Sequence, residues 1–334
     1  MRRPLRSLAA AVSLLAATGL AALGSPADAQ GRPALDHPFG VAVGGSHVWV
    51  ANAAGNSVSE FNTNGTLVRT IASAADGFNT PIAIATNRTN VWVANKSGNS
   101  LTELNARTGR LERLVRGASY GFDDPIGLAF SGPYLWVANE SSGLSELSAL
   151  NGVRVRVVKP GVGHFDNPVS VAVKGNTVWV SNEAGNALTE IRASDGTLIR
   201  YVEGTNAYVG PIGLVFNAGD LWVSAASGNA LVETDPDSGA IVRSISDAQF
   251  KFNAPWNMII DHANLWVVNA NGNTLTELNP ATGALVRVVS AKAYGFNNPI
   301  ALVAVGGDIW VANGAGNSIT VIKAATGALV RVIH

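Results

Sequence analysis

The segment VWVANKSGNSLTEL at residues 91–104 has close copies along the whole chain. VWVANAAGNSVSEF (48–61) precedes it, and VWVSNEAGNALTEI (178–191), LWVVNANGNTLTEL (265–278) and IWVANGAGNSITVI (309–322) follow. With two weaker copies, seven tryptophans mark the period: Trp49, Trp92, Trp136, Trp179, Trp222, Trp266 and Trp310, spaced 43, 44, 43, 43, 44 and 44 apart. A constant period in this range marks a repeat architecture. Each unit holds four short apolar runs, in the second IAIA (82–85), VWVAN (91–95), LTEL (101–104) and LERLV (111–115), divided by Gly, Asn and Asp. None reaches helical length, and the β-branched residues and Gly/Asn punctuation read as strands and tight turns. Four strands in each of seven units predict an all-β fold, a seven-bladed β-propeller with four antiparallel strands per blade.

Two charged residues test that prediction. Glu60, Glu103, Glu146, Glu190, Glu233 and Glu277 recur in the third strands, and Arg69, Arg113, Arg156, Arg200, Arg243, Arg287 and Arg331 in the fourth. A three-residue hairpin loop ending in a left-handed Gly109 sets Glu103 opposite Arg113. The first unit has one loop residue fewer, and a type I′ turn at Asn64-Gly65 keeps Glu60 opposite Arg69. The register survives the deletion, as paired strands require. These are expected to be cross-strand ion pairs near the outer edge of each blade, each contributing ~0.2–1 kcal/mol. In the seventh unit Val321 leaves Arg331 without its carboxylate. The tryptophans are expected to pack blade against blade. Gly40, Ala83, Gly127, Ser170, Gly213 and Ala301 are expected where innermost strands crowd a central channel.

The chain opens with MRRPLR, an apolar run, and Ala27-Asp28-Ala29, the layout of a secretory signal peptide cut near Ala29-Gln30. The expected organisation is a signal peptide at 1–29, an N-terminal linker at 30–36 and the propeller at 37–334. No membrane span remains after removal of the signal, and the mature protein is expected to be secreted, periplasmic or at the cell surface. Removing three arginines and one aspartate from 23 basic and 23 acidic residues leaves 20 and 22, close to neutral. No basic patch points to nucleic acid. With no cysteine, an exported chain relies on its core alone. The first unit starts at its innermost strand near Pro38 and the last ends at its outermost near Ile333. Closure is therefore expected by packing blade one on blade seven, without a split blade, with residues 30–36 adding to an edge.

Units such as residues 79–116, with PIAIA, VWVAN, GNSLTELN and TGRLERLV in that order, resemble NHL-type and YVTN-type propeller repeats. The likeness covers about residues 37–333. It implies the propeller fold, in a group that serves as protein-binding, RNA-binding and ligand-sensing modules, and fold alone assigns no role. The same fold group includes the virginiamycin B (streptogramin) lyases, whose resemblance implies a metal held by His and Glu on the central face. No His/Glu cluster of that kind is written here. Calcium-dependent lactonase propellers imply converging acids. Asp36, Asp123 and Asp166 stand two residues before prolines, where Asx turns explain them equally well.

Loops from fourth to first strands and from second to third strands emerge on one face, where a rigid scaffold places function. In the first set Tyr120, Phe250 and Tyr294 are additional aromatics, free to contact a partner. Departures from the repeat are the other candidates. The sixth unit, NAPWNMIIDHANLW (253–266), sets Trp256 and Asn257 on an innermost strand. Glu140 and Glu183 follow the strand-two asparagine in neighbouring units. With Asp123, Asp124, His164 and Asp166 on loops of the same face, they form a set suited through oxygen atoms to Ca²⁺ or Mg²⁺. No other cofactor is indicated, and no nucleophile elbow, phosphate loop, dinucleotide fingerprint or zinc spacing occurs. The preferred reading is an exported, monomeric binding or interaction module for a protein, peptide or carbohydrate ligand, bound on the loop-rich face around the channel. The alternative is a metal-assisted lyase or lactonase on the same fold.

Overall fold

Each of the seven units folds into one antiparallel sheet whose four strands pair in sequence order. The computed structural model describes residues 33–203 and 206–334. The expected signal peptide and residues 30–32 of the expected linker lie outside the described residues. In the second blade the strands are Pro81–Thr86, Asn90–Asn95, Ser100–Asn105 and Leu111–Arg116. The first strand of each blade touches the first strand of the next, and Pro38–Gly44 touches Pro299–Val305 to close the circle. Every blade is built from continuous chain, so none is split between the termini. Among the described residues no helix is long and apolar enough to cross a membrane.

Packing between blades explains the period. All seven repeat tryptophans are at most 1% exposed. Trp92 lies among Leu135 and Val137 of the next blade, Trp136 among Val178 and Val180, and Trp310 among Val48 and Val50 of blade one. An indole buries roughly 150–250 Å², so each wedge contributes on the order of 4 kcal/mol of apolar burial. Near the axis the blades come closer still. A Cβ at Gly40 would sit 2.4 Å from the Ile82 carbonyl oxygen, and one at Gly213 would sit 2.6 Å from that of Trp256.

The glutamate–arginine register is present in six blades, with Arg69 Nε 2.7 Å from Glu60 and Arg113 Nε 2.5 Å from Glu103. Two details differ from expectation. The turn at Asn64-Gly65 is not type I′, because only Gly65 has a positive φ (86°). The bulge between Glu60 and Phe61 is the same as in the other blades, and the shorter loop closes with Gly65 N–H on Asn62 O (2.9 Å) where blade two uses Gly109 N–H on Asn105 O (2.8 Å). The glutamates are also buried, between 0% and 4% exposed. Their arginines do more than fix register: each guanidinium also reaches a hairpin carbonyl of the next blade. Arg113 donates to Leu150 (3.3 Å), Arg156 to Ser194 (2.9 Å) and Arg200 to Asp237 (2.8 Å). Arg331, without a carboxylate opposite, still donates to the Asn64 carbonyl across the closure. Burial raises the carboxyls of Glu60, Glu146, Glu190, Glu233 and Glu277 against the pull of their arginines. It pushes that of Glu103 up to about 7.

The start of the described chain lies in the seam between blades seven and one. Ala34 and Leu35 are 0% and 2% exposed, packed with Trp310, Val48 and Phe61. The Ala34 carbonyl accepts from Asn52 Nδ2 (3.2 Å) and from the Ser59 hydroxyl. In other blades the equivalent hydroxyl donates to the connection entering its own blade: Thr102 to Asp76 O (2.6 Å), Thr189 to Gly163 O (2.8 Å), Thr276 to Phe250 O (2.8 Å). Residues 34 and 35 thus replace, for blade one, a connection that the open ends of the chain do not supply. They fill the seam, while Pro33 before them forms an isolated β-bridge.

Truncating Leu35 to Ala should cost about 2–4 kcal/mol in urea unfolding, and a loss below ~0.5 kcal/mol would show that the arm does not hold the seam. A second test uses pH. Glu103 titrates higher in the folded state, so its contribution is complete below the ordinary value of 4.5 and is lost as pH rises to about 7. Glu103→Gln, which cannot titrate, should therefore gain on the order of 3 kcal/mol of unfolding free energy relative to wild type between about pH 4 and about pH 8. A pH-independent difference would contradict this.

Candidate functional site

In all seven blades the residue before the first-strand proline is left-handed: His37 (φ 52°), Thr80 (54°), Asp124 (54°), Asn167 (56°), Gly210 (63°), Ala254 (50°) and Asn298 (53°). Six of these carry a Cβ, and neighbouring loops hold the conformation. The N–H of His37 donates to Asn317 Oδ1 of the preceding blade at 2.8 Å, and the same bond joins Thr80 to Asn56 and Asn298 to Asn273, both at 2.7 Å. The carbonyl of each accepts from the residue after the strand-two asparagine, as Thr80 O does from Lys96 N (3.0 Å). The amides of the repeated Gly-Asn turns are thereby occupied as latches between blades. Blade three lacks the asparagine, its loop being one residue shorter so that Gly143 pairs with Asn139 as Ser100 does with Asn95, and Asn167 Nδ2 instead reaches Glu183 at 3.2 Å.

The next residue along each first strand faces the channel mouth. Five are aliphatic, Ile82, Ile126, Val169, Ile212 and Ile300, and two are aromatic, Phe39 and Trp256. Trp256 packs against Val169, Ile212 and Ala226 of blades four and five, against Ala254, Ala270 and Ile300 of blades six and seven, and against the core around Trp266. It lies across the mouth of the channel. Its backbone is fixed by Ser224, whose hydroxyl accepts from Gly213 N (2.8 Å) and donates to Trp256 O (2.6 Å). Behind it, a cavity of about 170 Å³ runs along the channel, with Ser170 and Asn257 in its wall.

On the loop-rich face a second cavity of about 360 Å³ forms a cup. Phe39, Ile82, Ile126, Trp256 and Ile300 make its floor and walls; His37, Thr80, Lys96, Asn271 and Asn298 stand at its edge. The residue following each strand-two asparagine, or Ala225 in blade five, explains why the opening is one-sided. It is Lys96, Glu140 and Glu183 in blades two to four, but Ala226, Ala270, Gly314 and Ala53 in the rest. Lys96 and Glu140 pair across two blades and close one side. Opposite them, a Cβ on Gly314 would lie 3.4 Å from His37 Cε1 and 3.0 Å from Ile300 Cδ1, so the missing side chain leaves the imidazole room. Burial lowers the His37 pKa against the opposing pull of Asp36, which keeps the ring neutral at pH 7.

Of the residues singled out in the sequence, Trp256 lines this cup and Asn257 the channel beyond it, while Glu140 braces the cup through Lys96. The others lie elsewhere. Phe250 is 2% exposed and stacks on Phe252; Tyr120 and Tyr294 stack on Phe122 and Phe296 and donate to the Gly152 and Gly327 carbonyls. They cap inter-blade cores. His164 packs at a tilt on Tyr201, ring centroids 5.1 Å apart. The backbone carbonyls of Asp123, Asp124 and Asp166 accept from the second-to-third-strand loops. Among the described residues no three His, Cys, Asp or Glu side chains form a group able to hold a metal. A His/Glu metal centre of the kind implied by the resemblance to the lyases is not among them, and Glu140, Glu183, Asp123, Asp124 and Asp166 of the expected Ca²⁺ or Mg²⁺ set form no such three-residue group. His37 and Phe39 were not singled out in the sequence, although Phe39 follows Pro38 as Trp256 follows Pro255.

The molecule is thus a seven-bladed propeller with an apolar cup at one mouth of its channel. No family model and no curated sequence matches it. Solved structures share its fold. A streptogramin B lyase is 16% identical with a TM-score of 0.70, over 84% of this chain and 91% of the other. A catalytically inactive virginiamycin B lyase from Staphylococcus aureus, solved with quinupristin, is 18% identical with a TM-score of 0.70, over 84% and 93%. A hydrazine synthase chain from Kuenenia stuttgartiensis is 15% identical with a TM-score of 0.74, over 86% and 96%. At these identities the shared property is the fold.

Trp256 is the one tryptophan of eight that is not fully buried. Trp256→Phe should shift the fluorescence emission to shorter wavelength and remove most of the acrylamide-quenchable signal. Unchanged quenching would place the accessible indole elsewhere.

Proposed function

We propose that this chain is an exported, monomeric binding module that takes a small ligand, or one group of a larger peptide or carbohydrate, into the cup at the channel mouth. The observation that carries this reading is the cup itself. Its volume of about 360 Å³ falls within the range of roughly 300–1,000 Å³ usual for ligand sites. An apolar floor is combined there with a few polar groups at one edge, the usual composition of such sites. The signal-like N-terminal sequence and near-neutral mature charge support an extracytoplasmic role without nucleic acid.

A metal-assisted lyase or lactonase is the second reading, favoured by the fold shared with streptogramin B lyase. The side chains favour it less, since the acids of blades three and four are engaged with Lys96 and Asn167 and form no metal-holding group. The two readings separate experimentally. Mature protein incubated in the growth medium of the producing cells should retain a small molecule in native mass spectrometry, and Ala270→Trp, which fills the cup, should not. Retention by Ala270→Trp would refute binding in the cup, and quinupristin turnover that requires added Mg²⁺ would favour the lyase.

A further inference from the structure

We propose that the cup is a seat for an uncharged aromatic ring carrying a hydrogen-bonding substituent, laid against the Trp256 indole. This rests on the reading of the cup as a ligand site and names its class of ligand.

Three observations narrow the chemistry. The walls present two aromatic side chains, Phe39 and Trp256, with Ala53 and Ala270 beside them in place of longer residues. Flat apolar faces separated by small side chains suit a planar guest, because aromatic rings pack in offset-stacked or edge-to-face pairs. Charge is the second constraint. Lys96 is the one lining residue with a permanent charge, and it is already paired with Glu140. A carboxylate or ammonium buried here would find no free counter-charge, at a high desolvation cost.

The third observation concerns the edge. Among the described residues the His37 imidazole and the side-chain amides of Asn271 and Asn298 have no hydrogen-bond partner, and all three line the cup. They belong to the blade-six, blade-seven and N-terminal side, the side that Ala270 and Gly314 leave open. Each offers donors and acceptors to a neutral hydroxyl or amide. The floor offers none, which disfavours a sugar, whose hydroxyls would lie unpaired against Ile82, Ile126 and Ile300. The Ser224 hydroxyl, bonded to the Trp256 carbonyl, holds the strand that carries the indole, so little order has to be gained on binding.

Calorimetric titration of the mature protein with 2-naphthol, 1-naphthoate and N-acetylglucosamine tests this. The expected result is saturable binding of 2-naphthol with a Kd below about 1 mM and binding of 1-naphthoate at least about tenfold weaker. Trp256→Ala should weaken 2-naphthol at least about tenfold, and Asn298→Ala a few-fold, with thermal melts confirming that both variants are folded. Should Trp256→Ala not fold, Ala270→Leu, which narrows the seat while keeping the indole, should show the same loss. Naphthoate binding as tightly as naphthol, sugar binding that needs Trp256, or no saturable binding of naphthol would each overturn the aromatic class. The cup would remain a ligand site in all three cases if the retained natural ligand is still excluded by Ala270→Trp. Loss of that exclusion, whatever the probes do, would remove the underlying reading.

Discussion

The structure depends on the burial of one indole between each pair of neighbouring sheets. A four-stranded sheet with two apolar faces cannot hide both by itself. Each blade solves half of this problem by offering its tryptophan to the next, and the circle solves the rest by having no last blade. Val48 and Val50 receive Trp310 as Leu135 and Val137 receive Trp92. Because the wedge is the same in each unit, the spacing of the sheets is uniform. A uniform spacing in turn allows only the smallest residues, such as Gly40 and Gly213, where innermost strands meet.

One joint in this circle has no covalent link, that between blades seven and one. In five of the six other blades the incoming connection supplies the carbonyl that a strand-three hydroxyl needs, as Asp76 does for Thr102. At the open joint Ala34 supplies it, and Leu35 fills the core beside it. Arg331 adds a bond from the far end of the chain to the Asn64 carbonyl. The two ends therefore fasten the joint at different radii, the N-terminal arm among the wedges and the C-terminal strand at the rim. This is closure without a shared blade, and it places the first described residues, with His37, beside the cup.

Properties contained within one repeat were legible in the sequence; properties of two neighbouring repeats were less so. The tryptophan period gave the blade number, and the offset between Glu103 and Arg113 gave the hairpin register, because both are distances along a single unit. The second bond of each arginine, to the following blade, leaves no trace in spacing. The same holds for the Asn56-to-Thr80 latch. Tyr120, Phe250 and Tyr294 looked free for the same reason: the stacking partner is two residues on, but the cores they cap lie between blades. At the site, Trp256 was visible as a departure from a repeated aliphatic position. Phe39 at the equivalent position, and the Ala53–Ala270–Gly314 side of the mouth, needed the circle to be closed before they faced one another.

A symmetric circle has no preferred site, so any specificity must come from breaking the symmetry. Two breaks cooperate here. Long charged residues in blades two to four, tied by Lys96 and Glu140, occupy one side of the mouth, while alanines and glycine clear the other. Trp256 alone would only plug the channel, since its indole has apolar neighbours on both sides. The short side chains Ala53, Ala270 and Gly314 on the blade-six-to-one side leave Trp256 only partly buried and leave the His37 and Asn298 edge open. The two changes are not equally independent of the scaffold: Trp256 also packs against the core around Trp266, whereas the Lys96–Glu140 pair stands on loops outside the inter-blade cores. The cup thus combines one wall tied to the blade-six core with a mouth whose residues lie on loops that the circle does not need.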